Sequence, residues 1–480
     1  MEEHPIKTEQ KVVIPYDVVD ICLREMEHKH DLLQYQVDGW CAWVLIRGAV
    51  QRTLSYDLPA PNSDRHWGQQ VALALQDLGG LLRLRGTRYV VKTYISGLAD
   101  QEEGHYKDIW FDDLLGTLDT YVKIDSVNNP LFWARRQEAL RPSDLSATAF
   151  SLLSGALALV GGPRSIASIA HALSTCLQNT FHVEVFSSHW IALRLRRFYW
   201  LRKLFSWLLQ RLHPTHLLVA DVGEYALVAA AKAHGIQVIE LQHGFLDQYH
   251  SGYSWTSYAV PYKSHMPVPD RLFLYGEYWQ KALEPHGFWQ EALCVVGNPR
   301  IDQYRRRRES GTLPDICTLL LTTQGLATEE TINFIADFLR MAQGRCDLHL
   351  LIKLHPVYEW STALYTAAFQ DDTRVQIWLG NEAPSTLELL TQVHFHLSIS
   401  STCHYDALGV GVPTVILPLP TYEIVLPLYH AGHAALARDP QGLVDIILQQ
   451  RRSDISEDVR SYYFARDPLK RMTQALAGHV

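Results

Sequence analysis

The chain has 480 residues, of which 47% are apolar and 20% charged. This mixture is typical of folded globular proteins and excludes a largely disordered or fibrous chain. The 43 Lys and Arg residues are outnumbered by 51 Asp and Glu, and the resulting net charge of -8 argues against a nucleic-acid-binding protein. At roughly 150 residues per domain, the length predicts two or three domains.

The seven cysteines are dispersed and include no Cys-x-x-Cys pair, so the sequence predicts neither a disulfide framework nor a structural zinc site. The first ten residues, MEEHPIKTEQ, are polar and unlike a signal peptide. The longest apolar run, Ala149 to Val160, is shorter than the roughly 20 residues that span a bilayer. These features predict a cytoplasmic protein without a membrane-spanning anchor.

The first 212 residues predict mainly helix, interrupted by two β-rich runs at Tyr89–Tyr94 and Tyr121–Ile124. A β-α-β unit follows, with a buried strand at Leu217–Ala220, a helix at Glu224–Ala233 and a second strand at Ile236–Leu241. A crossover of this length connects neighbouring parallel strands.

The same alternation of strand and helix continues to about residue 420. Further short apolar runs predict strands near residues 271–276, 293–297, 318–321, 348–353, 375–378, 394–398 and 414–417. This order indicates a doubly wound α/β architecture. The chain between 249 and 270 is rich in Tyr, Ser and Pro and predicts the domain boundary, which gives domains at 1–262 and 263–480.

Polar residues follow four of the predicted strands, at the sheet edge where open α/β folds bind ligands. These groups are Asp221 with Gly223 and Glu224, then Gln242-His243-Gly244, then Lys353 to Pro356, and finally Ser398 to Thr402 with His404. The other histidines of this region, His394 and His396, are predicted to be structural, as is His404.

Each group suits a chemical task. A carboxylate at a strand end, such as Asp221, can act as a base or nucleophile, or can simply cap the next helix. Ser400, Ser401 and Thr402 precede a predicted helix and suit a phosphate, because hydroxyls and unpaired N–H groups there attract anions. His355 can donate to the same phosphate. Lys353 shares that strand face only if the strand continues past it.

Six motifs then occur in one order: LQHG at 241–244, YGE at 275–277, VGNPRID at 296–302, IKLHP at 352–356, SISST at 398–402 and ALGVGVP at 407–413. This order resembles the bacterial GT-B glycosyltransferases of capsule and O-antigen polysaccharide synthesis, and most of all their CMP-sugar-dependent Kdo and sialyl transferases. The resemblance covers about 200 residues, from 215 to 420. It implies two Rossmann-like domains that face a central cleft, with the last helix packing back on the first domain.

The resemblance also implies residue roles. His355 and Pro356 correspond to residues that contact the nucleotide phosphate, as do Ser400 and Ser401, with Thr402 adjacent. The remaining predicted donor-binding residues are Gln242, Gly244, Asn298 and Lys353.

Asp221 corresponds to the catalytic carboxylate of the amino-terminal domain, with His243 beside it to orient the donor and Glu224 as a further catalytic candidate. In retaining Kdo transferases such an Asp is proposed as nucleophile, and in inverting sialyltransferases it is the base that activates the acceptor. The sequence leaves both roles open.

No Asp-x-Asp motif follows a strand and no Gly-x-Gly-x-x-Gly motif occurs, so the sequence predicts neither a metal site nor a bound cofactor. The predicted function is metal-independent transfer of Kdo or a related ulosonic acid from a CMP-activated donor to an oligosaccharide or lipid-linked glycan acceptor. Alternatives on the same fold are a CDP-glycerol-type polyol-phosphate transferase, a UDP-sugar transferase or epimerase, and a scaffold without catalysis.

The segment 191–211 combines six basic residues with several aromatic ones, including Trp200 and Trp207. Such a helix can lie on an anionic membrane, or it can pack in the core with its arginines in solvent. The sequence favours neither reading. The first predicts peripheral contact with the inner face of the cytoplasmic membrane, where a lipid-linked acceptor is found.

Overall fold

The structure is a computed structural model that describes residues 14–55, 67–95, 100–102, 104–126, 136–356, 358–359, 361–380, 382, 384–450 and 454–478. The polar start of the chain, residues 1–10, lies outside the described residues. The seven cysteines are all described, and all are free thiols.

The described helices are α1 Tyr16–His30, α2 Val44–Ser55, α3 Trp67–Arg83, α4 Asp112–Leu115, α5 Thr148–Val160, α6 Ser165–Phe181, α7 Ser188–Leu212, α8 Tyr225–Ala233, α9 Glu277–Leu283, α10 Pro299–Ser310, α11 Thr328–Ala342, α12 Ala363–Phe369, α13 Thr386–Leu390, α14 Cys403–Val410, α15 Leu426–His430, α16 Pro440–Gln450, α17 Glu457–Tyr463 and α18 Pro468–Leu476. The strands are β1 Gln36–Val37, β2 Trp40–Cys41, β3 Tyr89–Lys92, β4 Asp100–Glu102, β5 His105–Lys107, β6 Tyr121–Ile124, β7 His216–Val219, β8 Gln237–Leu241, β9 Arg271–Leu274, β10 Leu293–Val295, β11 Cys317–Thr322, β12 Leu348–Lys353, β13 Val375–Trp378, β14 Phe395–Ser398, β15 Thr414–Ile416 and β16 Ala435–Leu436.

Most of these strands form two six-stranded sheets, in the orders β10-β9-β8-β7-β3-β6 and β13-β12-β11-β14-β15-β16. Neighbouring strands are parallel throughout both sheets. Strands such as β11 are buried along their whole length, as expected of a parallel sheet covered on both faces. The predicted doubly wound α/β architecture is therefore confirmed.

Each sheet has one point at which the strand order reverses. The first sheet reverses between β3 and β7, and the second between β11 and β14. At such a point the two following loops leave the carboxyl edge in opposite directions and open a crevice, which is where ligands bind in this architecture. The residues that follow these four strands are therefore the candidates for ligand binding.

The boundary between the sheets lies further along the chain than predicted. β9 and β10 were assigned to the 263–480 domain, but β9 pairs in parallel with β8 and β10 with β9, so both extend the first sheet. The segment that suggested the boundary forms a 3-10 turn, Ser257–His265, next to the buried Trp255. The chain passes to the second sheet only between Val295 and Cys317, through α10.

A buried arginine fixes the amino-terminal helices. The Arg47 guanidinium in α2 donates to Glu27 Oε1 at 2.5 Å and to Asp20 Oδ1 at 3.1 Å, both in α1. It also donates to Ser254 Oγ at 2.8 Å and lies 4.4 Å from the centroid of the Trp255 ring. Because a buried charge is tolerated only when it is paired, these contacts tie α1 and α2 to the loop that follows β8.

A short C-terminal segment, residues 462–465, joins the two domains and is called here the junction. From the first domain, Tyr275 O accepts from Ala465 N at 2.8 Å, and the Trp279 indole donates to Tyr463 O at 3.0 Å. From the second, Arg305 donates to Phe464 O at 2.8 Å. The junction is thus hydrogen-bonded on both sides.

The last helix lies against the first domain. Met472, Ala475 and Leu476 of α18 share a hydrophobic cluster with Phe111 and with Leu114 of α4.

No described helix is by itself long and apolar enough to cross a bilayer. Helices α5 and α6, which are bent by 91° relative to each other, have the required length and apolar composition only when they are taken as a pair.

Gly276 sets how closely the junction approaches β9. A Cβ at this position would collide with the backbone of Tyr462 and Tyr463. We therefore expect Gly276→Ala to lower the free energy of unfolding by about 1–3 kcal/mol, as overpacked sites do. Urea denaturation measures this change.

Gly79→Ala is the matched control, since the Cβ position of Gly79 in α3 has no neighbour within 4 Å. It should leave the protein as stable as before or up to about 1 kcal/mol more stable, because alanine favours helix. If both variants lost the same free energy of unfolding, the close approach of the junction to Gly276 would not be the cause of the loss.

Candidate active site

Asp221 follows β7 at the reversal point of the first sheet. Its Oδ1 accepts from Gly223 N at 2.7 Å, so the carboxylate is held by a tight turn. The N-cap residue of α8 is Glu224, and no side chain caps that helix. The alternative that Asp221 is only a helix cap is therefore not what the structure shows.

Glu224 is held across the reversal point. Its carboxylate lies 2.8 Å from Nζ of the buried Lys92 at the end of β3. Lys92 Nζ also donates to Ser126 Oγ at 2.7 Å. The sequence reading missed Lys92, because only strand pairing brings β3 beside β7.

His243 follows β8, and its side chain is 25% exposed. Its ring lies edge-on to Trp110, with centroids 6.3 Å apart. Its Nδ1 is 3.9 Å from Glu240 Oε1, too far for a hydrogen bond, and has no hydrogen-bond partner among the described residues. Burial lowers the pKa of His243, opposed by the charge of Asp221, so the imidazole is neutral at pH 7.

Glu240, within β8, is a second residue that the sequence reading missed. The Tyr253 hydroxyl donates to its Oε1, and its Oε2 has no hydrogen-bond partner in the described part of the chain. Burial, together with the charge of Asp221, raises the pKa of Glu240 to about 8 against the bond from Tyr253, so this carboxyl keeps its proton at neutral pH. The available signal was a single acid in the apolar strand QVIEL.

Aromatic rings border this edge. Tyr94 and Trp110 have ring centroids 5.6 Å apart, and Trp110 also contacts His243. The buried Thr93 Oγ1 and Trp110 Nε1 have no hydrogen-bond partners in the described ranges. Ring faces beside unpaired donors suit a sugar, which presents both C–H surfaces and hydroxyls.

The serine loop lies at the reversal point of the second sheet. Ser400 donates from N and from Oγ to Gln324 Oε1, at 3.0 and 3.1 Å, and its Oγ is 2.7 Å from Thr421 Oγ1. Ser401 is buried, and its Oγ accepts from Cys403 N at 3.2 Å. Thr402 is exposed at the start of α14. Hydroxyls and a helix start are thus gathered on one side of the Gln324 loop.

His355 lies on the other side of that loop. Its Nδ1 accepts from Tyr358 N at 3.2 Å, and its ring stacks on Tyr358 with centroids 4.5 Å apart. Tyr358 in turn packs against Gly325, the residue after Gln324. Burial lowers the pKa of His355 to about 4, so the ring is neutral and, with Nδ1 accepting, carries its proton on Nε2 as a donor. Pro356 follows it and is only partly buried.

The polar groups of three predicted donor-binding residues are hydrogen-bonded within the protein. Lys353 ends β12, and its buried Nζ donates to Leu379 O at 2.7 Å and Glu382 O at 2.5 Å, while burial lowers its pKa to about 8. Gln242 donates to Gly244 O and accepts from Tyr275 N, both at 2.9 Å.

Asn298 is the third of these residues. Its Oδ1 accepts from Arg300 N at 2.9 Å and from Ile301 N at 3.3 Å, which caps α10. These polar groups satisfy backbone groups at strand and helix ends, a task as common there as ligand binding. Gly244 is exposed, and a Cβ there would meet nothing within 4 Å.

The two edges meet through aromatic contacts. Phe245, two residues after His243, lies 5.7 Å from Tyr405 of α14 between ring centroids. Tyr405 also contacts Tyr278 and Trp279 of α9. The helix that begins after the serine loop therefore packs directly on the loop that carries His243. Within the described ranges, no three His, Cys, Asp or Glu side chains gather as a metal site.

The sequence matches no family model and no curated protein. The structure is similar to that of the UDP-GlcNAc 2-epimerase from Methanocaldococcus jannaschii, with 12% identity, a TM-score of 0.53 and coverage of 82% of this chain and 99% of that one. It is also similar to a putative UDP-N-acetylglucosamine 2-epimerase from Listeria monocytogenes, with 14% identity, a TM-score of 0.51 and coverage of 82% and 96%. Together with the two facing sheets, these likenesses confirm the GT-B fold.

Glu240 makes stability depend on pH. Below pH 4.5, the ordinary pKa of a glutamate, the Glu240 carboxyl is protonated in both the folded and the unfolded protein. Between pH 4.5 and about pH 8 it ionises only in the unfolded protein, so the free energy of unfolding falls as the pH rises through this range. Glu240→Gln mimics the protonated form and should escape this loss.

We expect the unfolding free energy of the wild type, relative to Glu240→Gln, to fall by about 1 kcal/mol or more between about pH 5 and about pH 7.5. Urea denaturation at both values measures it. Glu291→Gln, at an exposed carboxyl, should show no such difference. Parallel pH curves for the wild type and Glu240→Gln would show that Glu240 ionises normally.

Proposed function

We propose that this protein is a glycosyltransferase that uses a nucleotide-sugar donor. The second domain holds the nucleotide and the first supplies the acid–base groups. One observation carries this proposal: the cluster of Asp221, Glu240 and His243 lies at the carboxyl edge of one sheet, and the phosphate-type loop of Ser400 lies at the edge of the other. The contact of Phe245 with α14 keeps the two close.

The donor phosphate is placed between the serine loop and His355. The Ser400 and Thr421 hydroxyls, which are hydrogen-bonded to Gln324 and to each other, can turn to a phosphate beside the start of α14, and the neutral ring of His355 lies near the same loop. These groups are uncharged, which suits a single phosphate better than a diphosphate. On this ground we propose a CMP-activated sugar, with an ulosonic acid such as Kdo as the transferred group and a bacterial surface glycan, free or lipid-linked, as the acceptor.

The sugar is placed against the Trp110 and Tyr94 rings, within reach of His243. Asp221 is the nucleophile or base, since its carboxylate is held at the cleft by Gly223. His243, being neutral, can donate a hydrogen bond to the acidic sugar without forming a fixed ion pair. Glu240 acts as a positioning residue behind His243, and Glu224 holds Lys92 at the reversal point. Helix dipoles and N–H groups stabilise the leaving phosphate.

A UDP-sugar 2-epimerase is the second candidate. Such an enzyme needs a base and an acid on one sugar and no acceptor. The protonated Glu240 beside Asp221 offers both, and the similar structures from M. jannaschii and L. monocytogenes are described as UDP-N-acetylglucosamine 2-epimerases. The donor base distinguishes the two candidates.

Thermal unfolding with CMP, CDP, UDP and GDP, without added metal, tests the donor. At ~100 times its Kd a ligand stabilises the fold by about 2.7 kcal/mol, so we expect CMP to raise the Tm most. His355→Ala should lose this rise. The control His349→Ala, at the exposed and opposite end of β12, should keep it.

A rise with UDP alone would favour the epimerase, and one with CDP a polyol-phosphate transferase. No response to any nucleotide would contradict an enzymatic role and favour a scaffold.

Asp221→Asn tests the chemistry separately. We expect it to slow release of CMP from a CMP-sugar in the presence of acceptor by about 10²–10⁴-fold, because the base or nucleophile is lost. The Tm rise with CMP should remain, since Asp221 lies on the other sheet. Asp119→Asn, at an exposed carboxylate, is the control. Full activity of Asp221→Asn would remove Asp221 from the mechanism.

A further inference from the structure

Helix α3 is apolar on the face that it turns to solvent. Its exposed apolar side chains follow a spacing of four, three and four residues, which places them in one stripe: Val71, Leu75, Leu78 and Leu82. Leu82 at the end of the stripe is 81% exposed. The opposite face, with Leu73 and Leu81, is buried. A surface helix normally places polar residues on its outer face, so this stripe requires an explanation.

Helix α5 continues the apolar surface. Ser146 N and Ala149 N donate to the buried Asp77 of α3, at 2.6 and 3.0 Å, so the start of α5 is held on α3. The sequence of α5, TAFSLLSGALALV, has no charged residue. It exposes Leu153, Leu159 and Val160, and Val160 is 88% exposed.

Helix α7 completes the layer beside α5. Its Trp207 is half-exposed and lies 6.4 Å from Phe150 of α5 between ring centroids. Buried side chains of α3, α5 and α7 line one small cavity with Ile124 of β6. The three helices therefore cover the same face of the first sheet, and their outer sides point away from it in one direction. We call this surface the apolar helix face: Val71, Leu75, Leu78, Leu82, Leu153, Leu159, Val160 and Trp207.

The charge around this face is opposite to that of the whole protein. Residues 145–215 include seven Lys or Arg and a single acid, Glu184, in a chain of net charge -8. Arg164, Arg197 and Arg211 of this group are exposed, and of these Arg197 donates to Ser151 Oγ of α5 at 2.7 Å while Arg211 follows Trp207 by one helical turn. The surface thus combines exposed leucines and a tryptophan with basic side chains.

We propose that the apolar helix face docks on an anionic lipid bilayer. Its leucines enter the boundary between headgroups and acyl chains, Trp207 lies at headgroup level, and the arginines bind lipid phosphates. A second copy of this chain is a poorer partner, because a symmetric contact would bring the two basic rims together.

This surface differs from the one that the sequence suggested. Phe198 and Phe205 of α7 are buried in the core, as the core-packing alternative expects, while Trp207 faces outward. Most of the apolar area comes from α3 and α5, which lie elsewhere in the sequence and carry no basic run.

Co-sedimentation of the full chain with vesicles tests the proposal. We expect binding to vesicles of phosphatidylcholine with an equal amount of phosphatidylglycerol, much weaker binding to phosphatidylcholine alone, and loss of binding at high salt. The triple variant Leu75→Gln, Leu78→Gln, Leu82→Gln should reduce the partition coefficient about tenfold or more. Because glutamine is a good helix former, the triple variant should have the Tm of the wild type and the same response to nucleotides.

Leu364→Gln is the matched control, because Leu364 of α12 is 62% exposed and Leu75 is 63% exposed. It should bind vesicles as the wild type does. Failure of the wild type to bind phosphatidylglycerol vesicles, or unchanged binding of the triple variant, would overturn the proposal. So would a wild-type dimer, seen by sedimentation velocity, that the triple variant converts to a monomer while vesicle binding is absent, since the face would then be a contact between copies. None of these outcomes depends on the proposed catalytic activity.

Discussion

The close approach of the junction, residues 462–465, to Gly276 and Gly297 is the contact on which the geometry of the cleft depends. A Cβ at either glycine would collide with the junction backbone. The same few residues accept hydrogen bonds from Trp279 in the first domain and Arg305 in the second. Arg305 also donates to Gly409 O of α14 at 2.9 Å. The helix that starts at the serine loop is thus positioned against β9 by a segment that belongs to neither half of the site.

Within that frame, burial controls the charge of the site. Glu240 keeps its proton because it is fully buried, and burial also lowers the pKa of His243 and of His355, so that both rings are neutral at pH 7. Uncharged donors in a partly dry cleft interact strongly with any charge that enters, since little solvent screens it. For the donor proposed above, charge that develops on the leaving phosphate would meet dipoles already in place.

The positions of the strands could be predicted from the sequence, because a continuous apolar run such as 217–220 is a local signal. Strand partners were not, and β9 was assigned to the wrong sheet because its apolar run says nothing about its neighbour. Lys92 and Trp110 were missed for the same reason. Their contacts are with Glu224 and His243, which follow β7 and β8, and only the folded sheet brings these residues together. Lys353 shows an ambiguity that the sequence leaves open: its Nζ donates to the backbone carbonyls of Leu379 and Glu382, and the residue pattern does not distinguish this task from ligand binding.

The two proposed surfaces are compatible in one arrangement. The cleft opens at the carboxyl edge of the first sheet, whereas the apolar helix face covers one of its sides through α3, α5 and α7. A protein resting on that side keeps its cleft open, with the edge that carries Asp221 directed along the bilayer surface rather than into it. An acceptor attached to a lipid could then reach the Trp110 ring while its anchor stays in the membrane. Docking through the side of the sheet would thus limit the search for a lipid-linked acceptor to two dimensions and leave the nucleotide side in solution.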